Sequence, residues 1–268
     1  MLRKAVSFLK RDFYVFSSYK LSLLLNLLTI LASITTFFFI SKLIGKGAET
    51  YLKEFGGDYF SFVLIGLAFG GYLSAGLNSF SQLISYEQSE GTLEILLLSP
   101  TKISTILILG SLGNFLFTSL RILAYLFLGW LIFGFSLGKI NLIASLIILI
   151  LSIISFSSLG VISASFILVF KRADPLTWLL SGLSKLLGGV YYPVKIMPSL
   201  LQRLSFLLPI TYSLRALRKS IILGASLKEV IPELTALSLF CLVLLPLSIL
   251  SFKLALKVAK KKGSLLYS

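Results

Sequence analysis

Four stretches of this chain, 21–41, 59–86, 140–170 and 234–252, contain no charged residue and are largely apolar. Each meets or approaches the ~20 residues that a helix needs to cross a hydrocarbon core at ~1.5 Å rise per residue. Lipid offers no water to a bare backbone, so runs of this kind must satisfy their own hydrogen bonds as helices. Composition agrees. Hydrophobic residues make up 57% of the 268 and charged residues only 13%, where a soluble domain carries about a quarter. Such a chain has too little polar surface to cover itself in water.

Read in order, the sequence predicts an all-α integral membrane fold with six transmembrane helices. Residues 1–20 form a separate unit. Leu2, Val6, Leu9, Phe13 and Phe16 fall on one helical face, with Arg3, Lys4, Lys10 and Arg11 off it. That pattern predicts an amphipathic helix lying in the headgroup region. The first long apolar run begins at Leu21 and lacks a small-x-small site after it, so it reads as a permanent span rather than a cleaved signal.

The transmembrane domain, 21–268, then contains spans at about 21–41, 59–85, 102–134, 140–170 and 234–252, the last with Pro246 as a predicted kink. A fifth crossing starts at Leu176 but meets Gly188 and Gly189 early, which makes it short for a full span. Between spans 5 and 6, Pro193, Pro198 and Pro209 break up residues 191–224. This segment is predicted to be partly re-entrant, since irregular backbone at depth needs protein or a wet cavity around it. Gly66 and Gly70 form a GxxxG pair that permits close helix contact.

The net charge of +15 comes from 25 Lys and Arg against 10 Asp and Glu. These bases flank apolar runs, so headgroups and topology account for them and no nucleic-acid partner is expected. Six crossings put both termini on one side. That side holds 13 of the 25 bases and the far side ten, with Arg121 and Lys185 inside spans. The bias favours cytoplasmic termini but leaves the basic residues of 195–228 unexplained. The absence of histidine removes His-based zinc sites, general bases and proton relays, and no metal site is expected. Cys241 is the only cysteine, so no disulfide can form within the chain.

Arg121 and Lys185 are the two charges placed inside the bilayer. A centred cation costs at least ~2.5–3.5 kcal/mol on insertion scales, so each should face protein or water. They could line a basic cavity that meets a phosphate or another anionic headgroup. They could also contact backbone carbonyls or snorkel to the interface. Arg215, Arg218 and Lys219 could meet anionic headgroups or a departing anionic substrate. Tyr191, Tyr192 and Tyr212 read as interfacial anchors or as contacts for a sugar ring or apolar cargo. Lys185, Arg121, Tyr191, Tyr192 and Tyr212 are the candidate translocation path.

The segment 86–100 carries the densest information. As a continuous helix it would align Glu87, Glu90 and Glu94 on one face beside Tyr86, Leu93 and Leu97, with Pro100 at its end. Acids contribute little to topology. An amphipathic helix with an acidic edge suits a groove on a partner protein, although a solvated connector fits the same residues.

Glu90, Gly91, Thr92, Leu93 and Glu94, followed by a Leu-rich stretch and Pro100, resemble the signature of type-2 ABC exporter permeases. Tyr192, Pro193, Pro198, then Leu208, Pro209, Ile210, Thr211, Tyr212 and Arg215 are similar to that family's segment between spans 5 and 6. With the interfacial helix and six spans, the resemblance covers essentially the whole chain. It implies that Glu87, Glu90, Gly91, Thr92, Leu93 and Glu94 belong to a cytoplasmic coupling helix that docks on an ATPase. It also implies an outer re-entrant segment containing Pro193, Pro198, Pro209, Arg215 and Arg218.

The chain has no G-x-x-x-x-G-K-[ST] phosphate loop, its nearest fragment being Ile44, Gly45, Lys46 and Gly47. The resemblance therefore implies no cofactor in this chain, with ATP and Mg on two separate ABC ATPase subunits. It further implies a homodimer of permeases among membrane lipids of the plasma membrane. The cargo would be an amphipathic or lipid-linked drug, lipid, glycolipid or polysaccharide. An ion-coupled transporter would want acids deep in its spans, and a lipid-modifying enzyme a His, Asp or Glu cluster at the membrane edge. Apart from the 87–94 stripe, neither is present.

Overall fold

The computed structural model describes residues 10, 14, 20–92, 98, 103–135, 140–170 and 175–262. Among these every regular element is helical, and no strand occurs. The helices are α1 (Lys20–Ile44), the short α2 (Glu49–Leu52), α3 (Tyr59–Ser89), α4 (Ile103–Phe133), α5 (Leu142–Phe170), α6 (Pro175–Leu187), α7 (Ser199–Ser205), α8 (Pro209–Ile222) and α9 (Ile231–Lys262). Five of them (α1, α3, α4, α5 and α9) are long and apolar enough to cross a membrane. The all-α membrane architecture is therefore as the apolar runs predict.

The fifth predicted crossing is different in kind. With 13 residues, α6 spans ~20 Å, about two thirds of a hydrocarbon core. The chain turns at Gly189, whose φ is +76°, and continues through a 3₁₀ turn at Val194–Ile196 into α7 and α8. Of the predicted interfacial helix, only Lys10, Tyr14 and Lys20 lie among the described residues. All three are helical and exposed, with the Lys10 ammonium 5.8 Å from the Tyr14 ring centre.

The bundle is built around α3. Of its apolar window 78% is buried, against 11% for α1 and 17% for α4 and α9. It packs against α5, α4, α8, α1 and α6. Its start is set by Asp58, whose carboxylate accepts from the backbone N–H groups of Phe60 and Ser61 at 3.3 and 2.8 Å, freeing the first turn from unmet donors. The α3–α5 crossing is close because glycines face each other. A Cβ on Gly160 would lie 2.0 Å from the Gly76 carbonyl oxygen.

Hydroxyl pairs fasten the other side of α5. Ser145 meets Ser220 at 2.9 Å, Ser152 donates to Ser213 at 2.6 Å, and Ser155 meets Cys241 at 3.2 Å. These bonds fix α8 and α9 against α5 where apolar packing in lipid supplies no net drive. By contrast, Leu21, Leu24, Leu25, Leu239, Leu242 and Val243 stand outward on α1 and α9. An apolar exterior of that extent is a surface for lipid or for another protein.

Candidate functional site

The C-terminal end of α3 holds the acidic segment. Gly91, at φ +68°, takes the left-handed conformation that glycine adopts without a Cβ penalty. It lets Thr92 N–H donate to Glu87 O at 3.0 Å and Gly91 N–H to Gln88 O at 3.2 Å, the two bonds of a glycine-capped helix end. The Thr92 hydroxyl also donates to the Glu87 carboxylate at 2.5 Å. The predicted continuous helix over 86–100 is thus interrupted: α3 stops at Ser89, and the chain turns before Leu93. A single stripe of Glu87, Glu90 and Glu94 needs unbroken helical phase across Gly91, and the described residues carry helical phase only as far as Ser89. Glu87 is occupied within the turn, whereas Glu90 is exposed. Leu93 and Glu94 lie outside the described residues.

Along one flank of α3 runs a groove of about 370 Å³. Arg121 reaches it from α4 and Lys185 from α6, and Tyr191 lines it beyond the Gly189 turn. Three candidates that sit far apart in sequence are therefore brought to one cavity. Tyr191 also stacks on Phe37 of α1, ring centres 5.8 Å apart, and its carbonyl accepts from the Tyr59 hydroxyl at 3.1 Å. Tyr192 and Tyr212 do not line the groove. Tyr212 packs between Phe206 and Phe240 instead.

The polar side chains that line the rest of the groove carry a periodic signal in the sequence. On α3, Ser74, Asn78 and Gln82 recur every four residues, and on α4 Asn114, Thr118, Arg121 and Tyr125 follow a four-three-four spacing. Both patterns put polar side chains on one helical face inside an apolar run. Space is left by Gly66, Gly70 and Gly71. Gly66 in particular admits no side chain, since a Cβ would stand 2.1 Å from the Val190 carbonyl oxygen. The GxxxG glycine thus meets the turn after α6 rather than another long helix.

At the opposite end of α3 from Gly91, four of the basic residues of 195–228, Lys195, Arg215, Arg218 and Lys219, find protein partners. Glu54 receives Lys195 at 2.7 Å and Arg215 at 2.5 Å, and Glu233 receives Lys219 at 2.7 Å and Arg215 at 3.3 Å. Burial alone would raise the Glu54 pKa, but hydrogen bonds and charge from Lys195 and Arg215 overcome it and hold the carboxyl at about 2.

Arg218 is turned inward, 3% exposed. It donates to Phe62 O at 3.0 Å and Val190 O at 3.2 Å, with its guanidinium 3.3 Å from the Phe62 ring centre. A headgroup contact for Arg218 is ruled out by that burial, and its role is to brace α8 against α3. The prolines act locally. Pro193 precedes the 3₁₀ turn, Pro198 precedes α7, and Pro209 opens α8, where its fixed φ and missing N–H are harmless.

Among the described residues no group of His, Cys, Asp and Glu could hold a metal ion. What the geometry offers is a polar, cationic groove beside the central helix and a glycine-capped acidic turn at that helix's end. A search of curated proteins finds no match to the chain. The family model of the ABC-2 type transporter matches residues 7–222, most of the chain and both of its marked segments, and the protein belongs to that family of transporter permeases.

Proposed function

We propose that the chain is the membrane-spanning permease subunit of an ATP-driven exporter, moving an amphipathic or lipid-linked molecule outward across the plasma membrane. It works as a homodimer among membrane lipids, with two separate ABC ATPase subunits that hold ATP and Mg. Both termini and the Gly91 turn face the cytoplasm. The half-length α6, with the segment 191–224 folding back as an outer re-entrant element, completes a sixth crossing. Residues 1–20 lie along the inner headgroups.

The observation that carries this reading is the double use of α3. One end of this buried helix bears the glycine-capped turn with exposed Glu90, and its flank forms the wall of the basic groove. A helix transmits displacement along its axis, and Glu90 stands only ~12 Å of helical rise from Gln82 in the groove. Closure of the ATPase dimer against the turn would therefore shift the groove wall directly. Glu90, Leu93 and Glu94 make the docking contact, while Glu87, Gly91 and Thr92 hold its shape. Lys185, Arg121 and Tyr191 line the path of the cargo. Among the described residues no acid lines the groove, which argues against ion coupling through it.

The test is affinity purification of the detergent-solubilised chain from its native membrane. An ABC ATPase subunit should co-purify in stoichiometric amount, and the double change Glu90→Lys and Glu94→Lys should release it while the permease keeps its elution volume. A well-folded permease that carries no ATPase, under conditions that preserve other ABC complexes, would overturn the assignment.

A further inference from the structure

Arg121 and Lys185 share one groove with no acid among its described lining residues, and among the described residues neither takes part in an ion pair. Arg121 contacts a protein ring, with its guanidinium 5.9 Å from the Tyr125 ring centre. The three cations of α8 are treated differently. Arg215 and Lys219 have Glu54 and Glu233, and Arg218 has two carbonyls. Two cations without an acid beside them are expensive to keep within a bilayer, and here they come with amide donors: Gln82, and Asn78 and Asn114, whose amides donate one N–H to Ser74 O and Ser79 Oγ and keep a second. The Thr118 hydroxyl lines the same space with its hydrogen donated to Asn114 O at 2.7 Å.

We infer that this groove binds the phosphate-bearing headgroup of an anionic amphiphile, with Arg121 and Lys185 as its paired charge contacts. The inference rests on the exporter reading and gives its cargo a chemical class. Guanidinium and ammonium together match a phosphate monoester, the first through two parallel donors and the second as a point charge. The remaining amide N–H groups complete the oxygen shell.

The volume of about 370 Å³ lies near the lower end of small-ligand pockets. It suits a headgroup and leaves no room for long acyl chains. Those chains have a place outside. The two helices that carry the cations expose apolar side chains nearby in sequence, Leu116 and Leu120 on α4 and Leu183 and Leu186 on α6. A free inorganic anion would need only the charges, whereas an amphiphile uses both features.

The experiment measures lipid retention by the full-length chain in a non-ionic detergent, by native mass spectrometry. The probes are didecanoyl phosphatidic acid, didecanoylglycerol (the same tails without phosphate) and inorganic phosphate. Wild type should retain the phosphatidic acid about tenfold more than the diacylglycerol, as two charge-assisted contacts allow. Arg121→Gln or Lys185→Gln should each lower retention severalfold, and the double variant should erase the preference. Arg121→Lys with Lys185→Arg keeps both charges and should keep most of the binding, which separates loss of charge from loss of fold.

Equal retention by wild type and the double glutamine variant would overturn the inference, as would equal retention of the two lipids. Inorganic phosphate that competes as well as phosphatidic acid would overturn the amphiphile and leave a free anion in its place. Co-purification of the ATPase is read in the same samples. Loss of lipid preference with the ATPase still bound overturns the cargo class alone, and absence of the ATPase from wild type overturns the exporter reading instead.

Discussion

Glu54 accepts from Lys195 and Arg215 at once, and its folded pKa of about 2 lies below the ~4.3 of an unfolded glutamate. The stabilisation linked to that difference is complete above ~4.3 and disappears as the pH falls towards the folded value. Melting temperatures of the detergent-solubilised protein should therefore fall between pH ~5 and ~3, and Glu54→Gln should flatten that dependence. Arg218 makes a sharper case. Arg218→Met leaves two buried carbonyls, Phe62 O and Val190 O, without this donor, at a cost of about 1–3 kcal/mol. It should lower the melting temperature at every pH, whereas Arg203→Met on the exposed face of α7 should not. By sequence alone Arg215, Arg218 and Lys219 form one basic cluster suited to anionic headgroups or a departing anionic substrate. Their separate roles depend on Glu54, Glu233 and Phe62, partners at long sequence separation, which no local pattern discloses.

Among the elements, the long helices were legible because an uncharged run has one structural solution in lipid. The predicted spans 102–134 and 140–170 match α4 (Ile103–Phe133) and α5 (Leu142–Phe170) within two residues at each end. The last helix extends past its predicted end to Lys262. Lys253, Lys257 and their neighbours end hydrophobicity there but remain good helix formers. Within 86–100 the periodicity of the acids suggests one helix, and among the described residues the left-handed Gly91 follows the end of α3 at Ser89.

Glycine roles are separable by mutation. Gly160→Ala would press a methyl onto the Gly76 carbonyl oxygen and should destabilise the α3–α5 pair by about 1–3 kcal/mol. Gly182→Ala on α6 meets nothing within 4 Å and should be neutral or stabilise by up to ~1 kcal/mol through helix propensity. Thermal melting of the two variants side by side checks both.

For the molecule as a whole, the membrane class and the two marked segments were visible in the amino-acid order, and the groove was visible only in pieces. Lys185 and Arg121 stood out as lone charges. Their convergence depends on α6 stopping at half length and the chain returning past Tyr191 to pack on α3, which is tertiary information. The same arrangement places the acidic turn and the groove on one buried helix, and the account of coupling depends on that connection.

It is tested most directly by a photo-crosslinking amino acid placed at Ser89, an exposed position beside Glu90, with a control at Leu200, 68% exposed at the other end of the bundle. Irradiation of native membranes should give an adduct of the mass of one ABC ATPase at position 89 and none at 200. A position-89 probe that labels only lipid or water, or an ATPase adduct at 200, would contradict docking at this turn and with it the proposed drive for transport.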